Sequence, residues 1–188
     1  MFLESEKIKL RAPEPEDLDI LYKWENDTEL WALGSTLAPY SRYELKQYIL
    51  SIKDIYEAKQ LRFIIEKKAS ETASLNDNVK NPNQSHTAVG AIDLYDFDAH
   101  NRRAAVGIII DKHYQQNGLA TEALSLLCEY AFFHLKLHQL YAFIPMKNEP
   151  SKKLFKHCKF EEKGLLPDWL QTAKGYDDVQ LACLVSKD

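Results

Sequence analysis

The sequence predicts a mixed α/β domain built on a mainly antiparallel sheet. Two observations carry this. Segments with an apolar period of two come in adjacent runs, at residues 88–95 with 103–110 and at 164–170 with 179–185, as hairpins do. Between and before them lie segments with helical spacing, giving the order strand, two helices, three strands, helix, strand, helix, two strands. That makes about seven strands flanked by four helices. No internal repeat interrupts the order.

The elements follow from local chemistry. Ile8, Leu10 and Ala12 alternate with Lys7, Lys9 and Arg11, a short half-buried strand that Pro13 and Pro15 end. Pro15, with Glu16 and Asp17 behind it, suits the first turn of a helix. Leu18, Leu21 and Tyr22 continue that helix, which fades near Asn26-Asp27. Residues 27–40 are irregular and aromatic (Trp31, Gly34, Pro39, Tyr40) and either line a cleft or pack as a lid. Ser41 and Glu44 form a capping box. Behind it Leu45, Tyr48, Ile49, Ile52 and Tyr56 make one apolar helical stripe.

Leu61-Arg62-Phe63-Ile64-Ile65 is a strand. Residues 69–87 hold almost no large apolar residue and predict an exposed insert. The strand pattern resumes at once, so residues 1–188 are expected to form one domain. Ala88–Tyr95 and Arg103–Ile110 pair around a turn at 96–101. A helix starts near Leu119 with the stripe Leu124, Leu127, Cys128, Ala131, Phe132 and Leu135. Gln139–Pro145 is a strand with Leu140, Ala142 and Ile144 on one face. Asn148 caps a further helix holding Leu154, Phe155 and Cys158. The last two strands close around Ala173-Lys174-Gly175-Tyr176.

Composition narrows the function classes. The formal charge is −4, from 24 basic and 28 acidic residues, which disfavours nucleic acid and suits a cationic ligand as well as it suits an ordinary acidic surface. The three cysteines are scattered and expected in the core, without disulfide or metal-ligand spacing, so no metal is expected. Met1–Glu6 does not resemble a signal peptide and no apolar run approaches membrane-spanning length, so a cytoplasmic protein with no membrane partner is expected. The oligomeric state is open, a homo-oligomer included.

The stretch with most chemistry runs Ile108-Ile109-Ile110-Asp111-Lys112-His113-Tyr114-Gln115-Gln116-Asn117-Gly118-Leu119-Ala120. A strand enters a turn that opens a helix. N–H groups at a helix start lack intrahelical partners and carry a positive partial charge, and a Gly there lets a phosphate come close. A dinucleotide fingerprint does not fit, because there is no G-x-G-x-x-G and no crossover helix between the preceding strands.

Gln115-Gln116-Asn117-Gly118-Leu119-Ala120 resembles the pyrophosphate loop of the GNAT family of N-acetyltransferases, Arg/Gln-x-x-Gly-x-Gly/Ala. The strand before it, the helix after it and the strand–Asn148–helix beyond are similar as well. Asp93-Leu94-Tyr95-Asp96-Phe97-Asp98, Arg102-Arg103-Ala104 and Lys174-Gly175-Tyr176-Asp177-Asp178-Val179 look like the spermidine/diamine N-acetyltransferase branch. The branch acting on ribosomal-protein N-termini is also similar. The resemblance spans the chain apart from the insert.

It implies the GNAT fold and an acetyl-CoA site. The N–H groups of residues 116 to 121 (Gln116, Asn117, Gly118, Leu119, Ala120, Thr121), beside Gln115, would cradle the pyrophosphate. The backbone of Ile108, Ile109 and Ile110 would bond the pantetheine arm, with Ile109 N–H as oxyanion donor. Asn148 would reach the arm and Lys152 the phosphates. For Lys152, Lys153 and Lys156 a solvated helix face is the competing reading, preferred for at least two of the three.

The implied reaction is direct acetyl transfer to a primary amine, a small amine such as a polyamine. An alkylamine with pKa ~10.4 costs roughly 4.6 kcal/mol to deprotonate at pH 7, so a base matters more than an acid. Asp93 and Asp96 are the candidates, Asp93 as base or substrate anchor, with ion pairs to Arg102 or Arg103 as the alternative for Asp96 and Asp98. The sequence departs from the branch at Phe155, where a Tyr acid is usual, and at Ala105, where a carboxylate is frequent. Two alternatives stand beside it: a protein N-terminal acetyltransferase of the ribosomal-protein type and, because of Phe155 and Ala105, a non-catalytic acetyl-CoA-binding module.

Overall fold

The computed structural model describes residues 3–31, 36–51, 54–68, 86–172 and 174–187. Residues 69–85 of the insert, Gly34, Ile52 and Ala173 lie outside them.

Seven strands form one sheet: β1 (Ile8–Arg11), β2 (Leu61–Lys68), β3 (His86–Asp98), β4 (Arg103–Ile110), β5 (Gln139–Pro145), β6 (Glu161–Thr172) and β7 (Gly175–Val185), in the spatial order β1-β2-β3-β4-β5-β7-β6. All neighbours are antiparallel except β4 and β5. The parallel pair exists because the chain crosses over through α5 (Leu119–Glu129) between them.

The helices are more broken than the periodicity implied. Besides α1 (Leu18–Glu25), α3 (Arg42–Leu50), α5 and α6 (Glu149–His157), two single turns occur, α2 (Thr28–Trp31) and α4 (Ile55–Ala58). The expected single stripe from Leu45 to Tyr56 is therefore divided. The Ser41–Glu44 capping box starts α3, but Asp54 accepts from Tyr56 and Glu57 N–H and starts a new turn, leaving Tyr56 exposed. Residues 27–40, expected to be irregular, contain α2. After α5 the helix continues as a π turn over Tyr130–His134.

The large core lies on one face of the sheet. Ile92, Leu94, Ala104, Val106, Leu140, Ala142 and Ile144 meet Leu119, Leu124 and Leu127 of α5 and Phe155 of α6 there. A smaller cluster covers the other face, where Leu21 and Trp24 of α1 and Ile49 of α3 pack on Ile64, Ala91 and Ile109. Cys128 and Cys183 are buried and Cys158 partly so, as expected of small core residues, and burial pushes the Cys128 thiol up to about 12. No helix among the described residues is long and apolar enough to cross a membrane.

Two departures from regular pairing shape the surface between the strands. β4 pairs with β5 only from Arg103–Ala105 to Gln139–Tyr141; beyond that β4 stays with β3 and β5 stays with β7. The sheet thus opens into a fork from Val106 and Ala142 onward. On β3 the register slips between Tyr95 and Asp98, and Asp96 in the slip has φ of 50°. That conformation is uncommon but tolerated by Asp.

Candidate active site

The fork and the turn beyond β4 form the first half of the site. Asp111 N donates to Val89 O at 2.8 Å, which fixes the phase of the β3–β4 ladder. In an antiparallel ladder alternate residues point their N–H and C=O at the same neighbour. Asp111, Ile109 and Gly107 therefore face β3, whereas Ile110, Ile108 and Val106 present their backbone groups to the fork. This corrects one expectation: Ile109 N–H is used within the sheet, and the free donors are Ile108 and Ile110. Gln115 Nε2 donates to Ile110 O at 3.0 Å, so the loop side chain folds back over this edge. Gly90, opposite Ile110, is required for the close approach, because a Cβ there would sit 2.2 Å from Ile109 O.

The turn after β4 is organised by Asp111, which is 8% exposed. Its Oδ2 accepts from Lys23 Nζ (2.7 Å) and Trp24 Nε1 (3.1 Å) of α1. Its Oδ1 contacts His113 N (3.1 Å) and Nδ1 (2.8 Å). The Lys23 hydrogen bond, against the cost of burial and with His113 and Trp24 adding to it, holds this carboxyl well below the usual carboxylate range. Lys112 pairs with Glu29 of α2 at 2.7 Å, an exposed contact of little energetic weight.

Gly118 then caps α5 with φ of 77°, and a Cβ there would meet nothing within 4 Å. No side chain caps this helix. Asn117 instead ties the loop to itself, donating from Nδ2 to Tyr114 O (3.2 Å) and Gln115 O (3.0 Å). The N–H groups of Leu119, Ala120 and Thr121 are thus left without an intrahelical acceptor, and a pyrophosphate fits there in charge and in space. On the far arm of the fork, Asn148 Oδ1 accepts from Ser151 N (3.1 Å) and caps α6, which leaves its amide as the donor. It borders a cleft of roughly 340 Å³ with Pro145, Lys147, Leu170 and Asp177. Lys152 Nζ is part-buried and held by Glu149 Oε1 (2.7 Å) and Met146 O (3.3 Å), whereas Lys153 and Lys156 are exposed, which suits a solvated face for those two. Phe155 is buried edge-on against Phe160 (5.0 Å between centroids) and serves packing.

The second half of the site is the opposite sheet face, under α1 and α3. Here the sequence reading of Asp93 needs correction. Arg62 Nε and Nη2 each donate to one Asp93 oxygen at 2.8 Å, and the same guanidinium reaches Glu25. Burial alone works against the Arg62 charge, but Asp93 and then Glu25 outweigh it and hold its pKa above the ordinary value. A carboxylate locked in a bidentate pair is a poor base, so Asp93 is a structural partner of Arg62. The sequence carried a hint of this, one charged residue inside the apolar run Leu61–Ile65, but not the register that pairs Arg62 with Asp93.

Asp96 differs. It is exposed and has no ion pair among the described residues, whereas Asp98 is taken by Asn101 and Arg103. Tyr95 and Tyr141 flank Ala105 in register, across three strands at the base of the fork. Burial first, then Asp96, Tyr141 and Asp93, push the Tyr95 phenol up to about 12. Burial and then Asp96 likewise raise Tyr141. An aromatic run continues outward, with Phe143 edge-on to Tyr141 (5.6 Å) and stacked on exposed Trp169 (6.3 Å). Arg62 and Glu25 have no place among the site residues read from the sequence.

The comparisons with known proteins agree with this architecture. A family model described as an acetyltransferase (GNAT) domain matches residues 7–161. The uncharacterized N-acetyltransferase p20 of Bacillus licheniformis is 27% identical over 99% of this chain and 97% of its own length. The spermidine N(1)-acetyltransferase of Escherichia coli is 28% identical over 85% of this chain and 75% of its own. A crystal structure of spermidine N-acetyltransferase from Vibrio cholerae, in complex with CoA and spermine, superposes with a TM-score of 0.78 over 96% of each chain at 24% identity, which bears on the fold. With the forked sheet and the αL glycine at the helix start already in place, the match over most of its length shows that this chain belongs to the GNAT acetyltransferase domain family, N-acetyltransferases that take acetyl-CoA as donor.

Proposed function

We propose that this chain, working as one domain, moves the acetyl group of acetyl-CoA to a primary amine of a small polycation of the polyamine class. The observation that carries the acceptor class is the composition of the face beneath α1 and α3. Beside it, Asp96 is exposed and has no ion pair among the described residues, close enough to add to burial in raising the Tyr95 and Tyr141 phenols, and Tyr141 leads on to Phe143 and Trp169. Carboxylate and aromatic faces attract alkylammonium groups, and the methylene segments between them suit the aromatic surface. The E. coli relative named for spermidine supports the same class.

Each half has its part. Leu119, Ala120 and Thr121 N–H, with Gln116, Asn117 and Gly118 shaping the loop, hold the pyrophosphate. Ile108 and Ile110, with the Asn148 amide, hold the arm along the fork. The bound donor supplies an activated acetyl thioester. Ile108 N–H is the oxyanion donor, since it faces the fork where Ile109 does not. Asp96 anchors the ammonium end and receives its proton on the way to water. Phe155 and Ala105 supply no acid; a thiol with pKa about 8.5 leaves with solvent protonation.

The test is thiol release from acetyl-CoA with spermidine, spermine, diamines, amino acids and short peptides as acceptors. Turnover highest with polyamines is expected; turnover on peptides alone would refute the acceptor class. Gly118→Asp places a carboxylate against the pyrophosphate and is expected to weaken acetyl-CoA binding by about tenfold or more. Unchanged affinity by calorimetry would show that the donor site lies elsewhere.

A further inference from the structure

Tyr95 has a position that its pairing alone does not require. It sits in register with Ala105, yet its ring leans along β4 over Gly107: a Cβ at Gly107 would meet Tyr95 Cε1 at 3.6 Å and Cδ1 at 3.9 Å. The peptide after Gly107 carries the Ile108 N–H that faces the fork. The aromatic ring therefore lies on one side of the same short backbone stretch whose edge holds the donor. Ala105 is fully buried, whereas Gly107, with no side chain of its own, stays part-exposed beside the Tyr95 ring. Tyr95 is half-buried, and Asp96 follows it in the bulge that turns the strand.

We propose that the Tyr95 hydroxyl is the group that meets the acceptor nitrogen at the acetyl carbonyl, accepting a hydrogen bond from it as it attacks across Gly107. This rests on the acetyl-transfer reading above and adds a residue to it. The ammonium form first gives one proton to water by way of Asp96. The nitrogen lone pair then forms the C–N bond, and the C–S bond breaks with its electron pair on the CoA sulfur. The second proton leaves the nitrogen for solvent while solvent protonates that sulfur, so the net release is one proton per turnover. Tyr95 keeps its own proton throughout, because its phenol titrates far above neutrality. Its contribution is to hold the nitrogen on line, where small misplacements cost rate steeply.

Tyr95→Phe tests this, because it keeps the ring over Gly107 and removes only the oxygen. Steady-state rates are measured with the best amine of the panel, alongside calorimetric acetyl-CoA affinity and thermal unfolding. The expected result is a fall in kcat of about tenfold, with acetyl-CoA affinity and unfolding temperature unchanged. A fall smaller than about threefold overturns the proposal. So does a variant that loses acetyl-CoA binding or stability in step with rate, since the hydroxyl would then be structural. A parent chain that acetylates no amine overturns the function reading itself, and this proposal with it.

Discussion

Arg62→Met is the most informative single change on the acceptor face. Arg62, Glu25 and Asp93 are each less than a fifth exposed, at 17%, 18% and 18% of their side chains. Methionine fills similar volume but leaves two carboxylates facing one another. Removing one partner of a buried pair costs about 3–5 kcal/mol. At roughly 2–4 °C per kcal/mol for a chain of this size, the unfolding temperature should fall by roughly 6–20 °C at pH 7. The pH dependence is more telling than the size. Without the cation, two carboxylates face one another across a part-buried site, and like charges disfavour the ionised form there. A raised folded pKa stabilises fully below the unfolded value and loses that contribution as pH rises through the folded one. The deficit should therefore be largest at pH 7 and shrink toward pH 4. Differential scanning fluorimetry of parent and variant across that range reads it directly. A fall of less than about 2 °C at pH 7, or one that does not change with pH, would refute the assignment of Asp93 as a structural partner.

Two further changes probe the donor half. Gly90→Ala forces a carbon to within 2.2 Å of Ile109 O, so β3 and β4 must part, and a loss of several kcal/mol or failure to express folded protein is expected in denaturant titrations. Asp111→Asn keeps the shape but turns an NH₂ toward donors on one side, at a cost of about 2 kcal/mol at pH 7. Because the folded pKa of Asp111 is depressed, the parent's advantage should be complete above ~3.9 and vanish as pH falls through the lower folded value, as urea midpoints of the two proteins would record.

What the sequence made legible were features set by neighbours along the chain. The Ser41–Glu44 box, the Asn148 cap, the αL glycine opening α5 and the strand Gln139–Pro145 all depend on a few consecutive residues. The split of the Leu45–Tyr56 stripe was also local, since Ser51 and Asp54 are ordinary end and start residues, but the apolar period masked them. The phase of the β3–β4 ladder was not legible. Side-chain alternation tells which face a residue takes, not which neighbour its N–H serves, so Ile108 and Ile109 look alike in sequence. The Asp93–Arg62 pair likewise depends on a register set across 31 residues. Asp96 is ambiguous in the sequence, because neither its bulge nor its lack of an ion pair among the described residues is set by its neighbours along the chain.

Asp111 touches both halves of the molecule, since one of its oxygens is held by α1 above the acceptor face and the other by the turn that enters the donor cradle. The two substrates therefore share a joint. If the donor tightens that turn, the free energy spent or gained there appears in the acceptor's affinity, and thermodynamic reciprocity requires the acceptor to change the donor's affinity by the same factor. An ordered kinetic scheme, in which one substrate prepares the site for the other, would arise here from a single carboxylate.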